Sequence, residues 1–242
     1  RTLGNVRAVK STMIRINQSE STAAAQKYFE RNLQRGDYYF EGQEMAGSWG
    51  GKAAEALGLE GPIDREVFLK LLENIRPGGS PLTARTNENR RPGYDFTFDV
   101  PKSVSLVHAF SGHERIVEAM RKAVMETMEE MEEEMHARVR KNGAFTDRKT
   151  SRMLWADFTH LTTRPSPLDS KSEGEVLHQH PWMERFRDAE GKLCAPDPHL
   201  HMHLYVINAT YDEVEDMWKA GEFMRLKRDA RYYQAAYHAR LA

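Results

Sequence analysis

The stretch Asp197-Pro198-His199-Leu200-His201-Met202-His203 sets three imidazoles at alternate positions and runs directly into the apolar Leu204-Tyr205-Val206-Ile207. Side chains on a strand alternate between faces at a rise of about 3.3 Å per residue. His199, His201 and His203 would therefore stand on one face, neighbours roughly 6–7 Å apart. Imidazole is the commonest metal-ligating side chain, and a rigid strand presents it with little ordering cost at binding. Catalytic metal sites combine three protein ligands with an open position, so His201 and His203 call for a third donor. His160 is the best candidate, because it closes the other strand-like stretch that carries a histidine among apolar residues. Antiparallel pairing of 152–162 with 199–209 would bring it alongside. His178 and His180 are weaker candidates. Asp95 supplies a carboxylate on a neighbouring polar strand face, and metal-bound histidines usually donate their second N–H to such a group.

The segments that must position these residues are legible as periodic patterns. Met13 to Ile16 alternates as a strand, and Ser19 or Ser21 can cap a following helix whose apolar positions include Ala25, Tyr28, Phe29 and Leu33, with Gly36 as its stop. Lys52 to Leu57 is predicted as a short helix, and Asp64 caps another over 65–75. Tyr94, Phe96, Phe98 and Val100 alternate with Asp95, Thr97 and Asp99, the pattern of a strand with one core face and one polar working face. Pro101-Lys102-Ser103 then opens a helix whose free N–H groups suit a phosphate. The methionine-rich spacing from Val117 to Met135 predicts one long helix over 112–141, with the methionines as packing surface. Residues 165–196 form a long polar excursion, and a final helix is expected from about Glu222 to the last residue.

Composition narrows the class. The 242 residues are 40% hydrophobic and 29% charged, with net charge −1, which describes an ordinary globular domain able to bury a real core. Apolar runs fall far short of the roughly 20 residues of a membrane span. The single cysteine, Cys194, points to a reducing, cytoplasmic compartment. Near-neutral net charge does not advertise a nucleic-acid partner, but the charges are segregated: acid gathers at 126–134, and base at 85–91, 138–141, 148–152 and 225–231.

A resemblance joins these pieces. Met13-Ile14-Arg15-Ile16, Tyr28, Gly36-Asp37-Tyr38-Tyr39, Trp49-Gly50-Gly51-Lys52, Gly93-Tyr94-Asp95-Phe96-Thr97-Phe98, Pro101-Lys102-Ser103 and Asp197-Pro198-His199-Leu200-His201-Met202-His203 occur in the order, and with the residue types, of the TrwC/TraI-type conjugative relaxases. The resemblance covers nearly the whole chain. It implies an α+β fold with a central antiparallel sheet of about five strands flanked by helices and a metal site on the open sheet face. It also implies strand-specific nicking and religation of DNA at a transfer origin through a 5′-phosphotyrosyl intermediate.

Carried over by position, the resemblance makes Tyr28 the nucleophile, and Tyr38 and Tyr39 the second tyrosine pair, with Tyr38 favoured for the second strand transfer. Asp95 becomes the aspartate beside the metal, His160, His201 and His203 the ligands of a divalent cation, and His199 a bystander. Magnesium or manganese would serve in the cell, and zinc or nickel would also fit three imidazoles. Arg85, Arg90, Arg91 and Lys102 are the expected phosphate contacts, and the aromatic loop from Tyr38 to Trp49 is expected to stack bases of single-stranded DNA. Other transfer proteins and a fused helicase domain beyond residue 242 are implied partners.

Two departures stand out. Phe29 follows Tyr28 where many relatives carry a second tyrosine, and 41 positions separate His160 from His201, which implies an insertion within 165–196. Residues 1–12 are expected to be a tail or expression remnant, and 13–242 a relaxase domain truncated at its C-terminal side. The rival readings are a hydrolase in which metal-bound water attacks a phosphoester and a DNA-binding module that does not cut.

Overall fold

The computed structural model describes residues 13–29, 44–45, 47–84, 90–141, 144–163, 166–168, 174, 178, 190–195 and 197–242. Tyr38, Tyr39, Arg85, His180, residues 1–12 and most of the 165–196 excursion lie outside them. In chain order the strands are β1 (Ile14–Gln18), β2 (Glu44–Met45), β3 (Trp49–Gly50), β4 (Gly93–Asp99), β5 (His136–Lys141), β6 (Ala144–Lys149), β7 (Trp155–Thr162), β8 (Ser166–Pro167), β9 (Cys194–Ala195), β10 (Pro198–Ile207), β11 (Thr210–Asp212), β12 (Met217–Lys219) and β13 (Gly221–Glu222). The helices are α1 (Thr22–Tyr28), α2 (Lys52–Glu55), α3 (Arg65–Leu72), α4 (Lys102–Ser111), α5 (Glu114–Glu133), α6 (Met224–Arg228) and α7 (Ala230–Leu241).

The central sheet runs β1-β4-β10-β7-β2, with β3 also paired to β7, and its pairings are antiparallel. This is the five-strand path expected from the sequence, with one short strand added. On one face Tyr94, Phe96, Phe98, Met202, Leu204 and Val206 pack against the methionine stripe of α5 and against Tyr233 and Tyr237 of α7. On the other face a second core joins Ala25 and Phe29 of α1, Phe68, Leu71 and Leu72 of α3, and Ala156, Phe158 and Tyr205 of the sheet. Both cores are needed because the central strands are buried on both sides. The second covers only part of its face; the rest carries the polar side chains of β4, β7 and β10.

Helices α2 and α3 stop at Glu55 and Leu72, a little short of the expected 57 and 75, and two boundaries further along differ more. The long helix ends at Glu133, and His136–Lys141 is instead a strand paired with β6, Lys141 opposite Ala144. The Met131 and Met135 spacing continued the helical period, but the alternation through Ala137 and Val139 and the Asn142-Gly143 pair, a strong hairpin signal, were the local information that prevails. The C-terminal helix begins after Glu222, which belongs to β13, and is interrupted at Asp229 between α6 and α7.

The Trp49-Gly50-Gly51-Lys52 motif has a steric cause. A Cβ on Gly50 would run into the Trp155 indole, and one on Gly51, at φ +91°, into the Met153 carbonyl. The α2 N-terminus that follows has no side-chain cap of its own. The buried Glu132 at the end of α5 fills that role, accepting the Lys52 N–H at 2.9 Å and the Met153 N–H at 2.7 Å. Among the described residues no helix is long and apolar enough to cross a membrane.

Candidate metal centre and tyrosine

The register of three strands builds the site. His201 lies opposite His160 of β7 on one side and Asp99 of β4 on the other; His203 lies between Phe158 and Thr97; Tyr205 lies opposite Asp95. Pleating then sends His160, His201, His203, Asp95, Thr97 and Asp99 to one face. The imidazole rings converge: centroids are 5.1 Å apart for His160 and His201, 5.4 Å for His160 and His203, and 5.0 Å for His201 and His203. One nitrogen from each falls within 4.8 Å of the other two.

The hydrogen bonds fix which nitrogens are left for a ligand. His201 Nδ1 donates to the His199 carbonyl at 2.8 Å, and His203 Nδ1 donates to Asp95 at 3.0 and 3.1 Å. Carbonyl and carboxylate oxygens only accept, so both rings carry a proton on Nδ1, which leaves Nε2 as the nitrogen available to a ligand. Burial, and after it the nearby His203, push the His201 pKa down to about 4, so this imidazole is neutral at physiological pH. Neutral rings held in one tautomer by outer partners are what a divalent cation requires. The residues present therefore fit a metal, with His160, His201 and His203 as the set that could hold it.

Tyr28 reaches this centre from α1. Ser21 caps the helix through its bond from the Ala24 N–H, and Tyr28 stands in the last turn of α1. The next residue, Phe29, is 1% exposed and stacks on Phe68 at 4.3 Å and edge-on to Phe158 at 5.7 Å. Anchoring Phe29 in the core turns Tyr28 the other way. Its hydroxyl donates to Asp95 Oδ2 at 2.6 Å and lies 3.3 Å from His203 Nδ1. Asp95, buried, is thus the common partner of the phenol and of a histidine of the triad, and Thr97 Oγ1 donates to the same Oδ2 at 3.1 Å. Thr97, which strand alternation puts on the polar face of β4 two residues after Asp95, is thus a site residue that residue type alone gives no role.

The other expected site residues fare differently. His199 stands off the triad, its Nε2 3.1 Å from Asp99. Arg91 is exposed. Arg90 turns inward, donates to the Leu72 carbonyl at 2.9 Å and has its pKa lowered by burial, so it ties two chain segments together. Lys102, at the first turn of α4, pairs with Asp197 and donates to the Pro198 carbonyl at 2.7 Å.

An antiparallel sheet that presents three convergent imidazoles, with a carboxylate shared between one of them and a helical tyrosine, defines a class: metal-ready α+β domains carrying a phenol beside a histidine triad. Within that class this chain belongs to the TrwC relaxase family, whose sequence profile matches residues 22–242. It is 33% identical over 186 residues to the multifunctional conjugation protein TraI of Escherichia coli strain K12, covering 74% of this chain, and 30% identical over 209 residues to a second Escherichia coli TraI, covering 86%. In both cases the match spans 10% of the relative's length. The fold matches the conjugative relaxase TrwC in complex with oriT DNA in a metal-bound structure, with a TM-score of 0.68 and 27% identity, covering 94% of this chain and 67% of that one. The copper-bound TrwC complex matches with the same values.

Proposed function

We propose that this domain nicks and rejoins one strand of DNA at a transfer origin, with Tyr28 as nucleophile. The observation that carries the reading is the 2.6 Å bond from the Tyr28 hydroxyl to Asp95, a carboxylate that also holds His203. A phenol, with an ordinary pKa of about 10, must shed its proton as it attacks, and Asp95 Oδ2 is already in place to take it. The phenolic oxygen bonds to the scissile phosphorus, the bond from phosphorus to the 3′ oxygen breaks, and the departing oxygen takes up a proton. The products are a 5′-phosphotyrosyl adduct and a free 3′-hydroxyl. One phosphoester replaces another, so religation by a 3′-hydroxyl needs no nucleotide cofactor. His160, His201 and His203 would hold a divalent cation, magnesium or manganese in the cell, which when bound supplies neutralisation of the charge that grows on the phosphate oxygens. Metal-bound and oriT-bound TrwC structures support the cation and the substrate class.

Single-stranded transfer-origin DNA is the proposed substrate, the cytoplasm the proposed site of action, and a helicase and other transfer proteins the proposed partners. Tyr38 and Tyr39 remain candidates for a second transfer, and Arg85, Arg91 and Lys102 for phosphate contact. The last would require Lys102 to exchange Asp197 for a phosphate. Incubation with labelled single-stranded oligonucleotides and Mn²⁺, resolved on a denaturing gel, tests the reading. A covalent adduct lost in Tyr28→Phe is expected. Cut DNA without an adduct would make the protein a hydrolase, and binding without cleavage would make it a DNA-binding module; either refutes the transesterase.

A further inference from the structure

The start of β10 carries a feature that the proposed nicking reaction does not by itself require. The register with β7 slips between Pro198, opposite Thr162, and His201, opposite His160, so an extra residue is accommodated there as a bulge. A bulge leaves backbone groups outside the ladder and re-aims the side chains beside it. Here the corner between β4 and α4 holds it: Lys102 donates to the Pro198 carbonyl, Ser105 Oγ accepts the Leu200 N–H at 3.0 Å, and Asp99 Oδ1 accepts from His199 Nε2 at 3.1 Å. Asp99 is in turn fixed by Arg15 of β1, whose guanidinium lies 2.9 Å from Oδ2 and 3.2 Å from Oδ1. His199, inside this bulge, then acts on the triad twice. The His199 carbonyl accepts the His201 Nδ1–H at 2.8 Å, and the His199 ring lies over the His201 ring, centroids 4.5 Å apart and planes 18° from parallel.

We infer that Arg15, Asp99 and His199 form a positioning relay that sets the tautomer and aim of His201 toward a divalent cation, a task separate from that of Asp95, which serves His203. The inference rests on the proposed metal site. None of the three belongs to the candidate ligand set or bonds to the phenol; each acts through the next, and only His199 touches His201. The arrangement has the logic of an outer ligand shell, whose loss typically lowers metal affinity about 10- to 100-fold. Severing the His199 ring leaves its carbonyl in place, so the lower end of that range applies.

The test titrates Mn²⁺ alone into the purified protein and counts free ion by electron paramagnetic resonance. His199→Ala should weaken binding about 10-fold, while His199→Gln, whose amide can still donate to Asp99, should return most of it. Asp99→Ala should resemble His199→Ala. Because Asp99 is buried, the exposed-edge variant His199→Ala carries the decision should Asp99→Ala fold poorly. The unfolding midpoint and metal-free oligonucleotide affinity of His199→Ala should match the wild type, which a merely structural role would not predict alongside a lost metal affinity. Unchanged Mn²⁺ affinity in His199→Ala, with the wild type binding the ion, overturns the relay alone. A wild type that takes up no Mn²⁺, or a His203→Ala that binds it undiminished, overturns the metal site and the relay with it.

Discussion

Replacing Asp95 by Asn separates the two tasks that converge on one carboxylate. The wild-type group accepts from Tyr28 at 2.6 Å, from Thr97 at 3.1 Å and from His203 Nδ1 at 3.0 and 3.1 Å. An amide keeps one acceptor oxygen and brings two N–H donors in place of the other. Whichever way it turns, the phenol or the imidazole meets a donor, at a cost of about 1–3 kcal/mol for the stranded group. If the oxygen stays with His203, metal affinity suffers little and the phenol loses its proton acceptor; if it turns to Tyr28, the loss falls on the metal, about 10- to 100-fold. In neither orientation can the amide take up the phenolic proton, so adduct formation at saturating Mn²⁺ should slow about 10²- to 10⁴-fold, the usual contribution of a general base. Single-turnover adduct formation across a Mn²⁺ series gives both quantities from one variant. A rate within threefold of wild type at saturating metal would refute the assignment of Asp95 as proton acceptor and leave it only an orienting role.

Three further outcomes follow from the same geometry. His201 should make the metal-free protein acid-sensitive: its folded pKa of about 4 lies below the ordinary 6.5, so between those values the unfolded chain binds the proton the folded one refuses. Its stabilising contribution, complete above pH 6.5, is lost as pH falls to about 4, by roughly 3 kcal/mol at 1.36 kcal/mol per unit. Urea midpoints at pH 7 and 4.5 should show a shallower pH slope in His201→Gln. Phe29→Tyr should not restore a second nucleophile, because that position faces Phe68 and Phe158; burying its hydroxyl should cost about 1–3 kcal/mol, and the Tyr28→Phe, Phe29→Tyr double variant should form no adduct. Gly51→Ala should destabilise by more than about 1 kcal/mol through its positive φ and the overlap with the Met153 carbonyl, read as a lowered thermal midpoint with the metal-binding stoichiometry intact.

How far the sequence carried these conclusions depended on whether each signal was local. The period-2 histidines, the polar face of β4 and the register that brings His160 to His201 were legible because strand alternation is a one-dimensional pattern. A run of 199–209 with 152–162 in antiparallel order leaves few ways to pair. The end of α5 is ambiguous in sequence for the converse reason: methionines tolerate either a helix or the start of a strand, and the helical period of Met128, Met131 and Met135 runs on past Glu133. Arg90 illustrates a third limit. A basic residue in a polar loop reads as surface, and only tertiary packing reveals a Leu72 carbonyl waiting for it.

The bulge at the head of β10 shows why the remaining part of the site was not legible. Strict alternation makes His199 equivalent to His201 and His203, three rings on one face. One inserted residue breaks that equivalence, turning His199 from a candidate ligand into a support whose carbonyl holds His201 and whose Nε2 is held by Asp99. A bulge has no residue-type signature in this sequence; what selects it is the set of partners on β4 and α4 that meet its displaced groups, Ser105 accepting the Leu200 N–H from 95 positions away and Asp99, itself held by Arg15 of β1, accepting from His199. The triad could therefore be named from its spacing, whereas the division of His199 from it is a property of three strands and a helix meeting at one corner. That same division explains why a third histidine in the run need not strengthen a metal site by ligating it, and why its removal is expected to register in Mn²⁺ affinity before it registers in stability.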